Sequence, residues 1–186
     1  MARPPVQKKS KPDSPLLASR REEILEAAVQ VFADYGYYST TTAQIAEKVG
    51  ISQPYVFKLF KNKEELFIVA LDRAFERTLA SFTQVHAPPD RLVLEMIRVY
   101  EQLMETHHHE IVLQVQAQGI RDEPIRQATR EGLSKVRNMV LERFREAGVS
   151  DPEVEVSTFL ANGMLCHVAA VMDMPELKPK HKKPLG

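Results

Sequence analysis

The sequence predicts an all-α protein with a small N-terminal head of three helices and a larger C-terminal bundle of helices. Apolar residues recur at the three-and-four spacing of a buried helical face, and no segment shows the strict alternation of a half-buried strand. Clusters of glycine, proline and asparagine interrupt the chain at intervals that separate one helical stretch from the next. A chain of 186 residues with 44% hydrophobic and 27% charged residues also has the composition of an ordinary globular protein.

The first helical stretch runs from Arg20 to Tyr35. It places apolar side chains on one face, at Ile24, Leu25, Ala28, Val31, Phe32 and Tyr35. The same pattern predicts further helices at about 63–84, 91–106, 109–118, 123–147 and 152–172. From these stretches we predict four segments: a disordered leader 1–18, a head 19–62, a body 63–174 and a disordered tail 175–186.

Leader and tail share a basic, proline-rich composition that is typical of disordered ends. Their basic residues include Arg3, Lys8, Lys9 and Lys11 in the leader, and Lys178, Lys180, Lys182 and Lys183 in the tail. A basic arm could follow a DNA backbone or enter a minor groove, although solvated terminal charge is the commoner meaning of such a pattern. We therefore expect both ends to be solvated, with a DNA-binding arm as the alternative.

Charge, cysteine content and hydropathy exclude several classes of protein. Basic and acidic residues balance at 25 each, so any nucleic-acid contact must come from local residues rather than from net charge. The single cysteine, Cys166, excludes an intrachain disulfide and a thiolate zinc cluster. No apolar stretch approaches the roughly 20 residues of a membrane span, and the N-terminal residues lack the apolar core of a secretory signal. We expect a cytoplasmic protein without a membrane partner.

No set of residues indicates catalysis or a cofactor. The sequence has no glycine-rich phosphate loop and no metal-ligand spacing. In the run His107–His109, successive helical residues diverge by about 100°, so the three cannot converge on one metal ion, although one could join a distant ligand. Cys166 and His167 diverge in the same way, which favours core packing over a nucleophile with its base. We expect no enzyme activity, no metal and no cofactor.

The stretch from Thr41 to Leu66 carries the strongest local signals. Thr41 followed by Gln44 is a capping-box pattern that opens a helix, and Gly50 ends that helix. Ser52 can cap the next helix, in whose first turn Pro54 falls. Two short helices so close together predict a helix-turn-helix, which needs a small residue, a turn glycine and apolar residues that lock the pair. Those positions are occupied by Ala46, Gly50, Ile51, Val56 and Leu59.

The residues on the outer side of the second short helix can be deduced from the apolar residues on its inner side. With Val56 and Leu59 turned inward, the outward positions are Gln53, Pro54, Tyr55 and Lys58. In a helix-turn-helix protein this side enters the major groove of DNA, where Gln53 can pair with adenine and Tyr55 can stack on a thymine methyl. A corner of two helices that only packs a bundle is the alternative interpretation.

The sequence around this motif resembles the tetracycline-repressor (TetR) family, over about residues 20 to 70 without a gap. An alanine-rich first helix is followed by an ordered series: Phe32, Tyr35-Gly36, Thr40-Thr41, Ile45-Ala46, Gly50-Ile51-Ser52, Phe57, Phe60 and Lys63-Glu64-Glu65-Leu66. The resemblance implies a transcriptional regulator, by expectation a repressor, that binds pseudo-palindromic operator DNA as a homodimer and is released by a small molecule. A helical adaptor that binds protein partners without DNA is the alternative.

The resemblance also implies roles for individual residues of the head. Thr41 would place its hydroxyl and the helix N-terminus at a phosphate, while Lys58 and Lys63 would reach other phosphates. Phe57 stands where the family usually has tyrosine, so we expect Tyr55 to supply the missing hydroxyl. The predicted DNA-binding residues are Thr41, Thr42, Ser52, Gln53, Pro54, Tyr55, Lys58 and Lys63.

The last helix is apolar on almost every side and must therefore be covered all round. One side can pack on the helix at 123–147. The other is best explained by a second subunit, which resembles the four-helix dimer interface of the family, with burial in a monomeric core as the alternative. The predicted interface residues are Phe144, Phe159, Ala161, Gly163, Leu165, Val168 and Met172.

The remaining helices are expected to enclose a ligand pocket, as they do in the family. Methionines, a tyrosine and glutamines suit a mostly apolar cavity with a few hydrogen-bonding groups, and hence a small apolar or aromatic effector. Ordinary core packing is the alternative for each residue taken singly. The predicted pocket residues are Met96, Tyr100, Leu103, Met104, Ile111, Gln114 and Gln118. We expect the effector to displace the fourth helix and to change the separation of two heads.

Overall fold

A computed structural model describes residues 15–180 of the chain. These residues form eight α-helices and one 3₁₀ turn, with no strand among them, which confirms the predicted all-α class. The helices are α1 (Pro15–Ser39), α2 (Thr42–Val49), α3 (Gln53–Leu59), α4 (Lys63–Thr83), α5 (Pro89–Thr106), α6 (His108–Ala117), α7 (Glu123–Glu146) and α8 (Pro152–Val171), and the 3₁₀ turn is Pro175–Leu177.

Both ends of the described region contain more structure than the sequence predicts. α1 begins at Pro15, so residues 15–18 of the predicted leader are helical, and the 3₁₀ turn lies inside the predicted tail. The prediction that Tyr35 faces the core is wrong, since Tyr35 is 59% exposed next to Gly36, where a φ of 76° interrupts the helical backbone. Of the basic residues named in the leader and tail, Lys178 and Lys180 are described by the structure, and the remainder lie outside the described residues.

One hydrophobic core joins the head to the body. Phe32 of α1 and Phe67 of α4 are fully buried and meet edge to face, with ring centroids 4.9 Å apart. Ile45 of α2 and Val56 of α3 are buried in the same core. Only residues 60–62 separate α3 from α4. α4 therefore connects the head directly to the body.

The body is built around close contacts of α7 with α4 and with α8. Gly132 of α7 faces the Phe75 ring of α4 so closely that a Cβ atom at residue 132 would come within 2.1 Å of it. Phe159 of α8 packs edge to face against Phe82 and Phe144, with ring centroids 5.5 and 5.8 Å apart. These contacts hold α4, α7 and α8 against one another.

α6 connects the body to the head and to α4. Gln116 Nε2 donates a hydrogen bond to the Ala33 carbonyl oxygen of α1 at 2.8 Å. On the same helix, the buried Glu110 carboxylate lies 3.1 Å from Arg77 Nε of α4. Head and body are thus linked by α4 along the chain and by α6 across space.

Candidate nucleic-acid interface and ligand cavity

The helix-turn-helix forms in the way that its cap pattern predicts. The Thr41 hydroxyl accepts a hydrogen bond from the Gln44 backbone amide at 3.3 Å, and the Gln44 side-chain oxygen accepts one from the Thr41 amide at 2.7 Å. Gly50 ends α2 in the left-handed conformation, with φ 73°. Ser52 precedes α3, but its side chain makes no cap hydrogen bond, contrary to the prediction.

The predicted outer side of α3 faces outward in the structure. Its exposed residues are Ser52, Gln53, Pro54, Phe57 and Lys58. Val56 on the opposite side is fully buried. Tyr55 is half-buried, and the Lys58 ammonium lies 5.7 Å from the centre of its ring. α3 therefore presents an uncovered surface on which Ser52, Gln53 and Lys58 are polar and Pro54 and Phe57 are apolar, with Tyr55 at its edge.

Thr42 and Gln53 bind each other, which gives Thr42 a different position from the predicted one. Gln53 Nε2 donates to the Thr42 hydroxyl oxygen at 2.8 Å, and Thr42 is only 6% exposed. Thr42 is therefore buried beneath the α3 surface, where it holds the Gln53 side chain, and it does not present its hydroxyl to a phosphate. The Gln53 side-chain oxygen remains as an acceptor on the exposed surface.

Lys63 joins the end of α1 to the start of α2. Its ammonium donates to the carbonyl oxygens of Tyr37 and Thr40 at 2.9 and 3.0 Å, and lies 4.6 Å from the centre of the Tyr37 ring. A cation at the first position of a helix opposes the helix dipole, and these carbonyl oxygens supply compensating negative charge. Because the ammonium is already bound inside the protein, this geometry argues against the predicted phosphate contact of Lys63.

Arg21 supports α3 in a way that the sequence pattern does not indicate. Its guanidinium donates to the Leu59 carbonyl oxygen at 2.8 Å and lies 4.2 Å from the centre of the Phe60 ring. The helix dipole favours a cation at this C-terminal end of α3. No local spacing connects residues so far apart in the sequence, so only the folded chain brings them together.

A cavity lies in the body between α4, α5, α6, α7 and α8. It offers about 50 Å³ to the centre of a water molecule. Most of its lining is apolar, including Phe75, Phe82, Ile97, Leu133, Val136 and Phe159. Polar groups enter its wall from Thr78, Tyr100, Glu101, Gln114, Asn162 and His167.

Two of the predicted pocket residues, Tyr100 and Gln114, line this cavity. The others lie elsewhere: Met96, Leu103, Met104 and Ile111 are buried in packed regions, and Gln118 is exposed with Nε2 3.9 Å from Met164 Sδ. α5 turns Ile97, Tyr100 and Glu101 towards the cavity, not its methionines. Helical periodicity identifies a buried face, but it does not reveal where the packing of several helices leaves a gap.

Tyr100 and His167 form a buried hydrogen bond in the cavity wall, between the Tyr100 hydroxyl and His167 Nε2. Burial raises the pKa of the Tyr100 hydroxyl and lowers the pKa of His167 to about 4, so both side chains are uncharged near pH 7. Burial also raises the pKa of the neighbouring Cys166 thiol. Among residues 15–180, no three His, Cys, Asp or Glu side chains lie close enough to hold a metal ion.

α8 divides its apolar residues between the core of the chain and the surface. Phe144 and Phe159 pack against each other inside the chain, so the prediction that they form an intersubunit surface is wrong. Gly163 lines the cavity. The exposed apolar residues of α8, together with Met172 just after it, form a surface that we call the α8 stripe: Val154, Ala161, Leu165, Val168, Val171 and Met172.

By length and composition alone, α8 could also cross a membrane. Only 28% of its most apolar window is buried within the chain. One helix of this kind is weak evidence for a membrane span, because a helix covered by a protein partner has the same composition.

The fold and the uncovered polar side of α3 place this chain in the class of helix-turn-helix proteins with an all-helical body. Residues 24–70 match the family model of the bacterial regulatory proteins, tetR family. This match confirms the resemblance of the head to the TetR family over residues 24–70.

The similar proteins of assigned function are transcriptional regulators. The chain is 30% identical over 118 residues to the HTH-type transcriptional repressor KstR2 of Mycolicibacterium smegmatis, in an alignment that covers 61% of this chain and 58% of the repressor. It is 26% identical over 137 residues to the fatty acid metabolism regulator protein of Bacillus subtilis, which covers 72% and 70% of the two chains. The match to the activator FasR of M. smegmatis covers 30% of that protein. The chain thus spans less than two thirds of KstR2 and of FasR.

Two solved structures share the fold over most of the chain. The fatty acid degradation regulator FadR of Bacillus halodurans has a TM-score of 0.69 at 19% identity, covering 91% of this chain and 90% of that one. FadR of B. subtilis in complex with stearoyl-CoA has a TM-score of 0.67 at 21% identity, covering 84% and 90%. The likeness extends from the head through the helical body.

Proposed function

We propose that this protein is a cytoplasmic, ligand-responsive transcriptional regulator that binds pseudo-palindromic operator DNA as a homodimer. The observation that carries the proposal is the uncovered side of α3, where Ser52, Gln53, Pro54 and Lys58 are exposed above a buried Val56. A helix held in this way can enter the major groove of DNA. The protein acts by binding rather than by catalysis, and occupation of an operator makes repression its expected effect.

Base recognition falls to the residues at the start of α3. Thr42 holds the Gln53 amide nitrogen, so the Gln53 oxygen is the group that can accept a hydrogen bond from a base amino group. Lys58 contacts a phosphate, and the N-terminal end of α2 faces another and fixes the position of the head. The Thr41 hydroxyl itself donates to Gln44 Oε1 at 3.1 Å within the capping box, so the helix end rather than this hydroxyl makes the predicted contact. Lys63 and Arg21 orient the helices without touching DNA.

The effector acts by enlarging the cavity. A water molecule needs about 10–15 Å³ of such space, so the cavity of about 50 Å³ holds roughly three to five waters. A larger ligand must push its walls apart. Phe75, Thr78 and Phe82 of α4 belong to those walls, and α4 follows α3 almost directly. Movement of α4 would therefore change the separation of the two heads and release the DNA.

The apolar lining favours a small apolar or aromatic effector. A structure of the related B. subtilis regulator contains stearoyl-CoA. Acyl-CoA esters are therefore candidates for this chain, with only the uncharged acyl part and its thioester carbonyl entering the cavity as ligand entry opens it.

Selection of random-sequence DNA with the purified full chain tests the proposal. We expect enrichment of a pseudo-palindromic site, and we expect Gln53→Ala to relax the base preference at one position of each half-site at a cost of about 1–3 kcal/mol. Stearoyl-CoA and aromatic metabolites are then tested for release of that site. Failure to enrich any sequence, or enrichment of a single unsymmetrical half-site, would contradict the proposal and favour a helical adaptor that does not bind DNA.

A further inference from the structure

Two polar groups in the cavity wall lack hydrogen-bond partners. Gln114 of α6 and His167 of α8 are 4% and 7% exposed, and both line the cavity. Within residues 15–180, neither Gln114 Nε2 nor His167 Nδ1 has a hydrogen-bond partner. A buried group that can donate a hydrogen bond loses free energy when it has no acceptor. Two such groups from two helices at one cavity therefore form a polar site that the oxygen atom of a ligand can fill in place of water.

The hydrogen bond between Tyr100 and His167 determines what His167 can offer to this ligand. The Tyr100 hydroxyl carries its proton, because burial raises its pKa, and His167 Nε2 is the one hydrogen-bond partner that the hydroxyl has. The hydroxyl therefore donates to Nε2. A neutral imidazole that accepts at Nε2 carries its proton at Nδ1, so Nδ1 is a donor. Gln114 and His167 thus both present N–H groups, which require an acceptor.

The charges around the cavity exclude an anionic acceptor. Among the residues that the structure describes, no lysine or arginine lines the cavity, and Glu101 is the one charged residue in its wall. His167 is uncharged near pH 7, since burial lowers its pKa to about 4. A carboxylate placed among these groups would be desolvated without a compensating cation. An uncharged oxygen next to an apolar surface satisfies the same donors without this penalty.

We propose that the cavity binds an uncharged, mainly apolar molecule through a carbonyl oxygen that accepts hydrogen bonds from Gln114 and His167. A carbonyl oxygen has two lone pairs and can accept from both. Ketones, esters and thioesters share this group, whereas free carboxylic acids are ionised near pH 7. The inference rests on the proposed function in one respect, namely that this cavity is the effector site.

A matched set of three probes tests the chemistry without DNA. Acetophenone, ethylbenzene and benzoate have similar size and differ in the group that would meet Gln114. We measure their binding to the full chain near pH 7 by NMR, following the side-chain amide of Gln114. Acetophenone should bind about tenfold more tightly than ethylbenzene or benzoate, as expected for a hydrogen bond that the other two cannot make without penalty. It should also be the probe that shifts the Gln114 amide resonances most.

Substitution of Gln114 separates the hydrogen bond from the shape of the cavity. Gln114→Leu should remove the preference for acetophenone over ethylbenzene, and Gln114→Met serves as the second variant should the first not fold. Gln118→Leu, at an exposed position outside the cavity lining, is the matched control and should keep the preference. Benzoate binding as tight as that of acetophenone, equal binding of acetophenone and ethylbenzene, or no binding of any probe would overturn the proposal.

The outcome is distinguishable from failure of the proposed function. Probe binding is measured on the free protein, whereas operator binding is measured by DNA selection. A preference for acetophenone in a chain that selects no DNA would leave the cavity site in place and remove the regulator. A chain that selects a palindrome but shows no such preference would keep the regulator and remove the carbonyl ligand.

Discussion

The basic side chains near α3 differ in the hydrogen bonds that they make within the protein. Lys58 is exposed, and its nearest described partner is the Tyr55 ring. Lys63 donates to two backbone carbonyl oxygens, and Arg21 donates to a third. A cation that is hydrogen-bonded within the protein must break those bonds before it can neutralise a phosphate. Lys58 is therefore the basic residue of α3 that is available to DNA.

Replacement of the two lysines should affect different properties. Lys58→Ala removes one phosphate contact and should reduce the slope of log K against log salt by about 0.9. Lys63→Ala should leave that slope unchanged and lower the free energy of unfolding by about 1–3 kcal/mol, because two hydrogen bonds to a charged group are lost. Fluorescence anisotropy across a salt series measures the slope, and urea unfolding followed by circular dichroism measures the stability.

Lys135→Ala, at an exposed position of α7, is the control for removal of a positive charge and should change neither quantity appreciably. If Lys63→Ala reduced the salt slope as much as Lys58→Ala, Lys63 would have to leave its carbonyl partners when DNA binds.

His167 should make the stability of the protein dependent on pH. Its pKa is about 4 in the folded chain and about 6.5 when exposed, so between these values the unfolded chain binds more protons. Stability should therefore be complete above about pH 6.5 and should fall by roughly 3 kcal/mol as the pH approaches 4. His167→Gln should reduce this dependence in urea unfolding, whereas His86→Gln, at an exposed site, should not. Identical pH profiles for the native chain and His167→Gln would contradict the assignment.

The crossing of α4 and α7 depends on a single glycine. Gly132→Ala would bring a methyl group within 2.1 Å of the Phe75 ring, so the two helices must separate or the ring must move. We expect a loss of about 1–3 kcal/mol in the free energy of unfolding, in spite of the better helix propensity of alanine. Gly163→Ala in α8 is the matched control: a Cβ there meets nothing within 4 Å, so it should stabilise the chain by about 0.5–1 kcal/mol. Equal effects of the two substitutions in urea unfolding would mean that the crossing is not close.

The elements differ in how far the sequence predicts them. Periodicity and caps predict the helices of the body to within two residues, and the capping box at Thr41 is present as predicted. These features depend on residues close in sequence. The cavity and the partners of Lys63 depend on contacts between distant segments, such as Lys63 with Tyr37 and Gln114 with α8. No local pattern contains that information. The sequence therefore predicts the kind of residue that lines the cavity, but of the predicted positions only Tyr100 and Gln114 line it.

For the whole molecule, the α8 stripe is the surface that most needs a partner. Leu165, Val168 and Met172 are 40%, 45% and 62% exposed, although another face of α8 is buried in the chain, at Val156, Phe159, Cys166, His167 and Ala169. One head contacts only a few base pairs, so specific recognition requires two heads held at a fixed separation. A twofold contact through the stripe would bury its apolar residues and join two heads in the same step.

Charged substitutions in the stripe should therefore separate the subunits and weaken DNA binding together. Leu165→Glu and Val168→Glu each place a carboxylate of both subunits in the contact. Each should raise the dimer dissociation constant at least a hundredfold, which corresponds to a loss of about 3 kcal/mol in the free energy of association. Sedimentation equilibrium measures the association, and anisotropy with the selected palindrome measures the affinity for DNA. Each subunit should keep its helical circular dichroism spectrum, because these side chains lie outside the core.

Ala80→Glu, at an exposed position of α4, controls for the added charge and should leave both the association and the DNA affinity unchanged. A stripe that faced a membrane would give a different result, since the native chain would then float with lipid vesicles and Leu165→Glu would abolish that flotation. For a dimer contact, the native chain should remain in the aqueous fraction as a dimer. If Leu165→Glu stayed dimeric, another surface would have to join the heads. Leu165, Val168 and Met172 would then need a different partner to cover them, because the exposure of apolar side chains to water is unfavourable in free energy.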